Sequence, residues 1–193
     1  MDDAIHSDTA RLARLITRQG QKRPLAPIWA AQAGIGPGMV VLDIGAGIGA
    51  LTLHYATMIG PDGLVFALEP DDQSRTHLLA AAKQAGLPVL GLPYPAAALD
   101  QLARAPDRVM LTDTLHHADD PAMMLTAIRR VMPAPSRLFI AEYDPTGPGL
   151  LGAKMPQRMA PARVLALLDQ TGFRPGTMQA APDEHYCLTA TCA

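Results

Sequence analysis

Three glycines at alternate positions, Gly45, Gly47 and Gly49, follow an acid, Asp43, in the stretch VVLDIGAGIGALTLHYA from Val40 to Ala56. Glycine reaches positive φ without a Cβ penalty and lets a ligand come close to the backbone. The amides of such a turn, at the start of a helix, receive a carboxylate or a phosphate. The spacing here is D-x-G-x-G-x-G. A dinucleotide site reads G-x-G-x-x-G, and Gly45, Gly47 and Ala50 fit only its looser G-x-G-x-x-A form. Asp43 discriminates between the ligands: its carboxylate repels a pyrophosphate and suits a ligand that carries an ammonium group. A second acid, Glu69, ends another apolar run about 20 residues beyond the glycines, the place of an acid that binds ribose hydroxyls.

A second group of candidates follows the run RVMLT. The segment TDTLHHADD carries Thr112, Asp113, Thr114, His116 and His117. A histidine of near-neutral pKa suits removal of a proton from a hydroxyl or thiol. The competing reading is structural, with the imidazoles bonded to loop backbone. Asp119 and Asp120 read as caps of the next helix. Glu142 and Tyr143 end the run RLFIAEY, and His185 opens the last apolar run, where it reads as structural. No two His or Cys residues fall at ligand spacing on one helix, so no metal site is expected.

These residues sit at the ends of elements that alternate. MVVLDI, GLVFAL, PVLGL, DRVMLT and RLFIAEY are continuous apolar runs, as strands covered on both faces require. Helices are predicted from Gly49 to about Ile59, over DDQSRTHLLAAAKQAG, PAAALDQLARA and DPAMMLTAIRRVM, and over APARVLALLDQTG. In the second of these, Leu78, Ala82 and Ala85 share a face and Gly86 is the stop. Two more helices precede the first strand. One is capped by Ser7 or Asp8; the other runs from near Pro24 to about Ala33 and carries Trp29. RPGTMQA and HYCLTATC, with no helix between them, predict an antiparallel hairpin at the sheet edge. Strand–helix alternation means a mostly parallel doubly wound sheet with helices on both faces. Ligands bind such sheets at the C-terminal strand ends, where the strand order switches.

VLDIGAGIG resembles the first motif of the class I S-adenosylmethionine-dependent methyltransferases, and the resemblance extends over most of the chain. VFALEP is similar to the second strand of that family, RVMLTDTLHHADDPAMMLTAIRRVM to its fourth strand and following helix, RLFIAEY to its fifth strand, and LLDQTGF to the helix end before its hairpin. The subgroup is that of small-molecule (type 11) enzymes, which includes those of ubiquinone and menaquinone biosynthesis. The resemblance implies a Rossmann-like seven-stranded sheet whose last strand is antiparallel. It implies S-adenosylmethionine as cofactor and S-adenosylhomocysteine as product. Asp43, Gly45, Ala46, Gly47 and Gly49 would hold the amino-acid part, and Glu69 and Pro70 the ribose side. Thr112 and Thr114 would line the methionine moiety, with Asp113, His116 and His117 as catalytic candidates. Asp71 would assist near the adenine. The family places an acid after the third strand; Gly91-Leu92 stands there, so Leu92 takes that cofactor position. A lost charge-assisted hydrogen bond of this kind costs about 1.5–3 kcal/mol. That departure motivates the alternative of a non-catalytic cofactor-binding protein. A nicotinamide-dependent oxidoreductase is less favoured, because Asp43 opposes it and no Tyr-x-x-x-Lys pair is evident.

Length and composition set the frame. A chain of 193 residues suits one domain, expected as an N-terminal helical lid over 1–36 and a core over 37–193. The net charge of -2, with acids and bases interspersed, disfavours a nucleic-acid partner. A small-molecule acceptor and a monomer or homodimer are expected. The first residues lack the apolar stretch of a secretory signal, and no run of about 18 apolar residues suggests a membrane span. Cys187 and Cys192, an odd offset apart, point to opposite faces of a strand. They read as free thiols of a reducing, cytoplasmic compartment.

Overall fold

The computed structural model describes residues 2–93, 99–100, 102–150, 152–180 and 184–193. The helices are α1 (Asp2–Gly20), α2 (Ala26–Ala33), α3 (Thr52–Ile59), α4 (Asp72–Gln84), α5 (Pro121–Val131) and α6 (Pro161–Gln170). The strands are β1 (Val40–Ile44), β2 (Leu64–Leu68), β3 (Val89–Leu92), β4 (Arg108–Thr112), β5 (Arg137–Tyr143), β6 (Phe173–Pro175), β7 (Gln179–Ala180) and β8 (His185–Cys192).

The sheet order is β3-β2-β1-β4-β5-β8-β6, with β7 also on β8. The first five strands pair in parallel; β8 pairs antiparallel with β5, β6 and β7. The segment predicted as one strand, RPGTMQA, is broken. Phe173–Pro175 pairs with the end of β8 and Gln179–Ala180 with its beginning. Pro175 has no amide hydrogen to continue the ladder. Counting β6 and β7 as one interrupted edge, this is the expected seven-stranded Rossmann-like sheet.

Strand parity sorts the core. Val40, Leu42, Ile44, Val109, Leu111, Leu138, Ile140 and Leu188 pack with α5 and α6, through Leu125, Ile128, Val164 and Leu168. Val41, Val65, Met110, Phe139, Ala141 and Cys187 face the other way, onto Trp29 of α2 and Tyr55 of α3. Cys187 and the half-buried Cys192 lie on opposite faces, as their odd offset predicts, and neither forms a disulfide among the described residues. Burial at about 25 cal/mol per Å² of apolar surface makes these two faces the main source of stability.

Several local expectations are corrected. Helix α1 begins at Asp2, so Ser7 and Asp8 lie inside it rather than capping it. Helix α3 begins at Thr52, not Gly49, because Gly45, Gly47 and Gly49 all hold positive φ, which interrupts a right-handed helix. Asp71 caps α4 by accepting from Ser74 N, and Gly86 follows its end with positive φ, but Ala85 is exposed rather than on the buried face. Asp120 caps α5, accepting from Met123 N at 2.9 Å. Of the helix predicted over PAAALDQLARA, residues 95–98 and 101 lie outside the described residues; Leu99 and Asp100 form a 3-10 turn and residues 102–105 are irregular, so the predicted helix does not extend to Ala105.

Trp29 is the largest correction. It is fully buried, with its ring against Phe139 and edge-on to His185. α2, expected in the lid over 1–36, is therefore a core helix against one face of the sheet, while the end of α1 and the turn after it, as far as Leu25, border the cavity at the strand ends. No helix of the described residues is long and apolar enough to cross a membrane.

Candidate active site

Parallel registry brings Ile44, Leu68, Leu92 and Leu111 to one edge of the sheet. The strand order reverses between β1 and β4, and the two segments that leave there are the glycine loop and Thr112–Thr114. A cavity of about 600 Å³ opens at this point. Its wall contains Gly45, Ala46, Gly47, Glu69, Pro70, Thr112, Asp113, Thr114, His116 and His117 from the sequence-based set.

Asp43, Gly49 and Leu92 are not part of that wall. Asp43 has the parity of Val41, so its side chain turns beneath the loop toward α3. There it accepts a hydrogen bond of 2.6 Å from Thr52 Oγ1. Burial pushes its pKa up to about 7, against the lowering effect of Thr52, and the charge of Glu69 adds to the rise. Asp43 thus braces the loop from below. Gly49 packs against the core instead: a Cβ there would lie 2.9 Å from Leu78 Cγ. Leu92 contributes its carbonyl to Glu69 N at 3.2 Å.

The other two glycines need the space above them. A Cβ on Gly45 would stand 2.1 Å from Thr114 Oγ1, and one on Gly47 would stand 2.3 Å from Gln19 Oε1. Glu69 is buried, and its Oε2 accepts from Gly47 N at 2.8 Å while Oε1 accepts from Asp71 N at 2.9 Å. Each oxygen keeps a further lone pair for a hydroxyl. Asp71, expected near an adenine, is occupied with capping α4 and pairing with Arg11 of α1.

The far end of the cavity is built from β4, β5 and β8. Glu142 is fully buried behind His116. Its Oε1 accepts from Leu115 N at 2.7 Å and His116 N at 3.3 Å, and its Oε2 meets His116 Nδ1 at 2.6 Å. Backbone amides only donate, so Glu142 is set up as an acceptor and His116 Nδ1 as the donor. That tautomer leaves His116 Nε2 with its lone pair available. Burial lowers the pKa of His117, as do the adjacent His116 and the more distant cations; Glu142 opposes this in part.

Asp113 has φ +52, a left-handed conformation uncommon outside glycine. Its carboxylate meets His185 Nε2 at 2.8 Å and pairs with Lys22, from the turn after α1. Burial raises its pKa, but the hydrogen bond from His185 and the Lys22 charge outweigh this and hold it low. Tyr143 lies against His185 with ring centroids 4.0 Å apart. Asp119 lines the cavity rather than capping α5.

His185, read as structural from sequence, is thus part of the wall, as are Gln19, Lys22 and Lys154, which no motif singled out. Gln19 and Lys22 lie in the basic stretch RQGQKRP, residues 18–24, between the two N-terminal helices.

Residues 41–134 match the profile of a family described as a methyltransferase domain. Over 53 residues, the chain is 38% identical to the rRNA 2'-O-methyltransferase fibrillarin of Debaryomyces hansenii. That match spans 28% of this chain and only 16% of that curated relative's length. Among solved structures, an S-adenosylmethionine-dependent methyltransferase from Aquifex aeolicus has a TM-score of 0.79 at 20% identity, over 87% of this chain and 89% of that one. The magnesium protoporphyrin IX methyltransferase of Synechocystis PCC 6803, with bound S-adenosylhomocysteine, has 0.69 at 18%, over 93% and 85%. The [4+2]-cyclase SpnF has 0.74 at 16%, over 88% and 80%. Likeness at such identities is likeness of fold, and a cyclase among these structures illustrates that a fold hosts more than one reaction.

Proposed function

From the premise that residues 41–134 are a methyltransferase domain within an S-adenosylmethionine-dependent methyltransferase fold, we propose that this protein transfers a methyl group to a hydroxyl of a small molecule. The observation that carries the reading is the His116–Glu142 pair beside the glycine-loop cavity. The cavity fits the cofactor in its donor set. Gly45 and Gly47 leave room for close backbone approach, and Glu69 offers lone pairs to ribose hydroxyls.

When bound, S-adenosylmethionine supplies a methyl group on a sulfonium, open to in-line displacement. The chain's part is to orient, exclude water and take a proton. His116 Nε2 accepts the proton of the acceptor hydroxyl. Glu142, held by two backbone amides, fixes the ring and stabilises the imidazolium that forms. General-base help of this kind contributes about 10²–10⁴-fold. The rings of His117, Tyr143 and His185 favour a planar acceptor. Asp113 is committed to His185 and Lys22, so it positions the wall and does not take the proton.

Two measurements test this. Titration with S-adenosylmethionine, S-adenosylhomocysteine and NAD should show binding of the first two; binding of NAD alone would overturn the cofactor. Methyl-labelled S-adenosylmethionine should label an O-methyl product in a small-molecule metabolite fraction. Label confined to RNA or protein, or undiminished in His116→Asn, would sink the acceptor class and the base.

A further inference from the structure

The amides of the glycine loop can be accounted for one by one. Gly45 N and Ala46 N donate to Leu68 O, Gly49 N to Ala46 O, and Gly47 N to Glu69 Oε2. Only Ile48 N finds its partner outside the core: it donates to Gln19 Oε1, in the last turn of α1, at 3.0 Å. A backbone N–H needs an acceptor, so this bond fixes which end of the Gln19 amide is oxygen. The amide nitrogen, Nε2, is then the end left over. Among the described residues it has no hydrogen-bond partner, and Gln19 lines the cavity directly above Gly47. A side chain held at its oxygen, with two N–H donors toward a cavity, is a preorganised donor for an anion.

We propose that Gln19 is a cofactor-binding residue carried on the lid: its Nε2 donates to the α-carboxylate of the cofactor's amino-acid end. This rests on the methyl-transfer reading above. Arg18, also in the cavity wall, adds positive charge beside it. The α1 end is pinned from its other side by Lys22 to Asp113. Cofactor occupancy and lid closure are therefore coupled through one side chain: the oxygen end of Gln19 holds α1 to the loop and the nitrogen end holds the ligand. Ligand affinity then depends on a residue outside the matched domain segment.

The test separates holding from donating. Gln19→Glu keeps an oxygen for Ile48 N and places a negative charge where the donors were. Gln19→Ala removes both ends. The probes are S-adenosylhomocysteine and 5'-methylthioadenosine, which lacks the amino-acid end. Calorimetric Kd for S-adenosylhomocysteine should weaken roughly ten- to a hundredfold in Gln19→Glu, and less in Gln19→Ala. The Kd for 5'-methylthioadenosine should stay within about twofold in both. Equal loss for both probes would make Gln19 a structural pin and overturn the proposal. So would wild-type affinity of Gln19→Glu for S-adenosylhomocysteine. Wild-type protein that binds neither probe would instead remove the methyl-transfer reading on which the proposal rests.

Discussion

Replacing Asp43 by Asn should make the ligand-free protein more stable at pH 8 and leave it nearly unchanged at pH 4. Asp43 is buried under the glycine loop, and its pKa rises from 3.8 to about 7 on folding. The folded value lies above the unfolded one. The stability that goes with its protonated form is therefore fully present below pH 3.8 and is lost as the pH rises through about 7. At about 1.4 kcal/mol per pH unit, that loss is on the order of 4 kcal/mol. Asn is neutral throughout and offers an oxygen to Thr52 Oγ1, which now donates to Asp43 at 2.6 Å.

Urea or thermal unfolding of both proteins at steps from pH 4 to 8.5 reads the difference. The gap should open between pH 4 and 7 and then level. For a chain of this size, roughly 2–4 °C per kcal/mol puts the separation in Tm at pH 8 on the order of 10 °C. Asp71 and Asp113, whose pKa values are lowered, impose the opposite trend on both proteins and cancel in the comparison. A gap that stays constant with pH would refute the argument, because it would mean that Asp43 carries the same charge folded and unfolded.

Binding of S-adenosylhomocysteine between pH 6 and 7 should release protons, since an ammonium near the loop favours the charged form of Asp43. Calorimetry in buffers of different ionisation enthalpy measures this, and Asp43→Asn should abolish it. Gly45→Ala should destabilise the protein by more than Gly60→Ala: both positions have positive φ, which costs about 1–2 kcal/mol, but only at Gly45 does the Cβ meet Thr114 Oγ1, at 2.1 Å. Paired thermal unfolding checks it, and equal costs would mean the loop opens freely. Glu142→Gln should cut methyl transfer about 10²-fold or more while the Kd for S-adenosylhomocysteine holds; unchanged turnover would free His116 from its assigned role. Trp29→Ala should cost about 3–5 kcal/mol in urea unfolding, because Trp29 is fully buried; a loss under 1 kcal/mol would mean the residue serves the cavity instead.

The fold was legible because its signals are local. Each buried parallel strand is an apolar run, and Gly45, Gly47 and Gly49 mark the turn at which a strand becomes a helix. The same local reading misplaced Trp29. A helix before the first strand looks alike whether it lies over the cavity or under the sheet, and only the sheet face formed by Val41, Met110, Phe139 and Ala141 decides the matter. Asp43 shows the limit most sharply. Its charge and spacing were visible, but alternate strand residues point to opposite faces, and the face of Asp43 is the one that α3 covers.

The chemistry beyond the glycine loop was far less legible, because its partners meet through registry and not through spacing. Thr112 stands beside Ala141 across β4 and β5, and Tyr143 stands opposite His185 across β5 and β8. One residue past Thr112, Asp113 therefore reaches His185, 72 residues away. Two more residues on, the turn Leu115–His117 folds over Glu142, one strand position before Tyr143. Neither contact leaves a trace in the local pattern: His185 reads as one more apolar-strand residue, and Glu142 as an acid at a strand end. His185 becomes a functional candidate only when β8 enters the sheet antiparallel beside β5, and Glu142, a candidate already at the end of its strand, gains its partner only when the turn after β4 folds over it. The reversed last strand, which looks like a detail of topology, delivers His185 to a cavity whose other strand-end residues come from parallel strands.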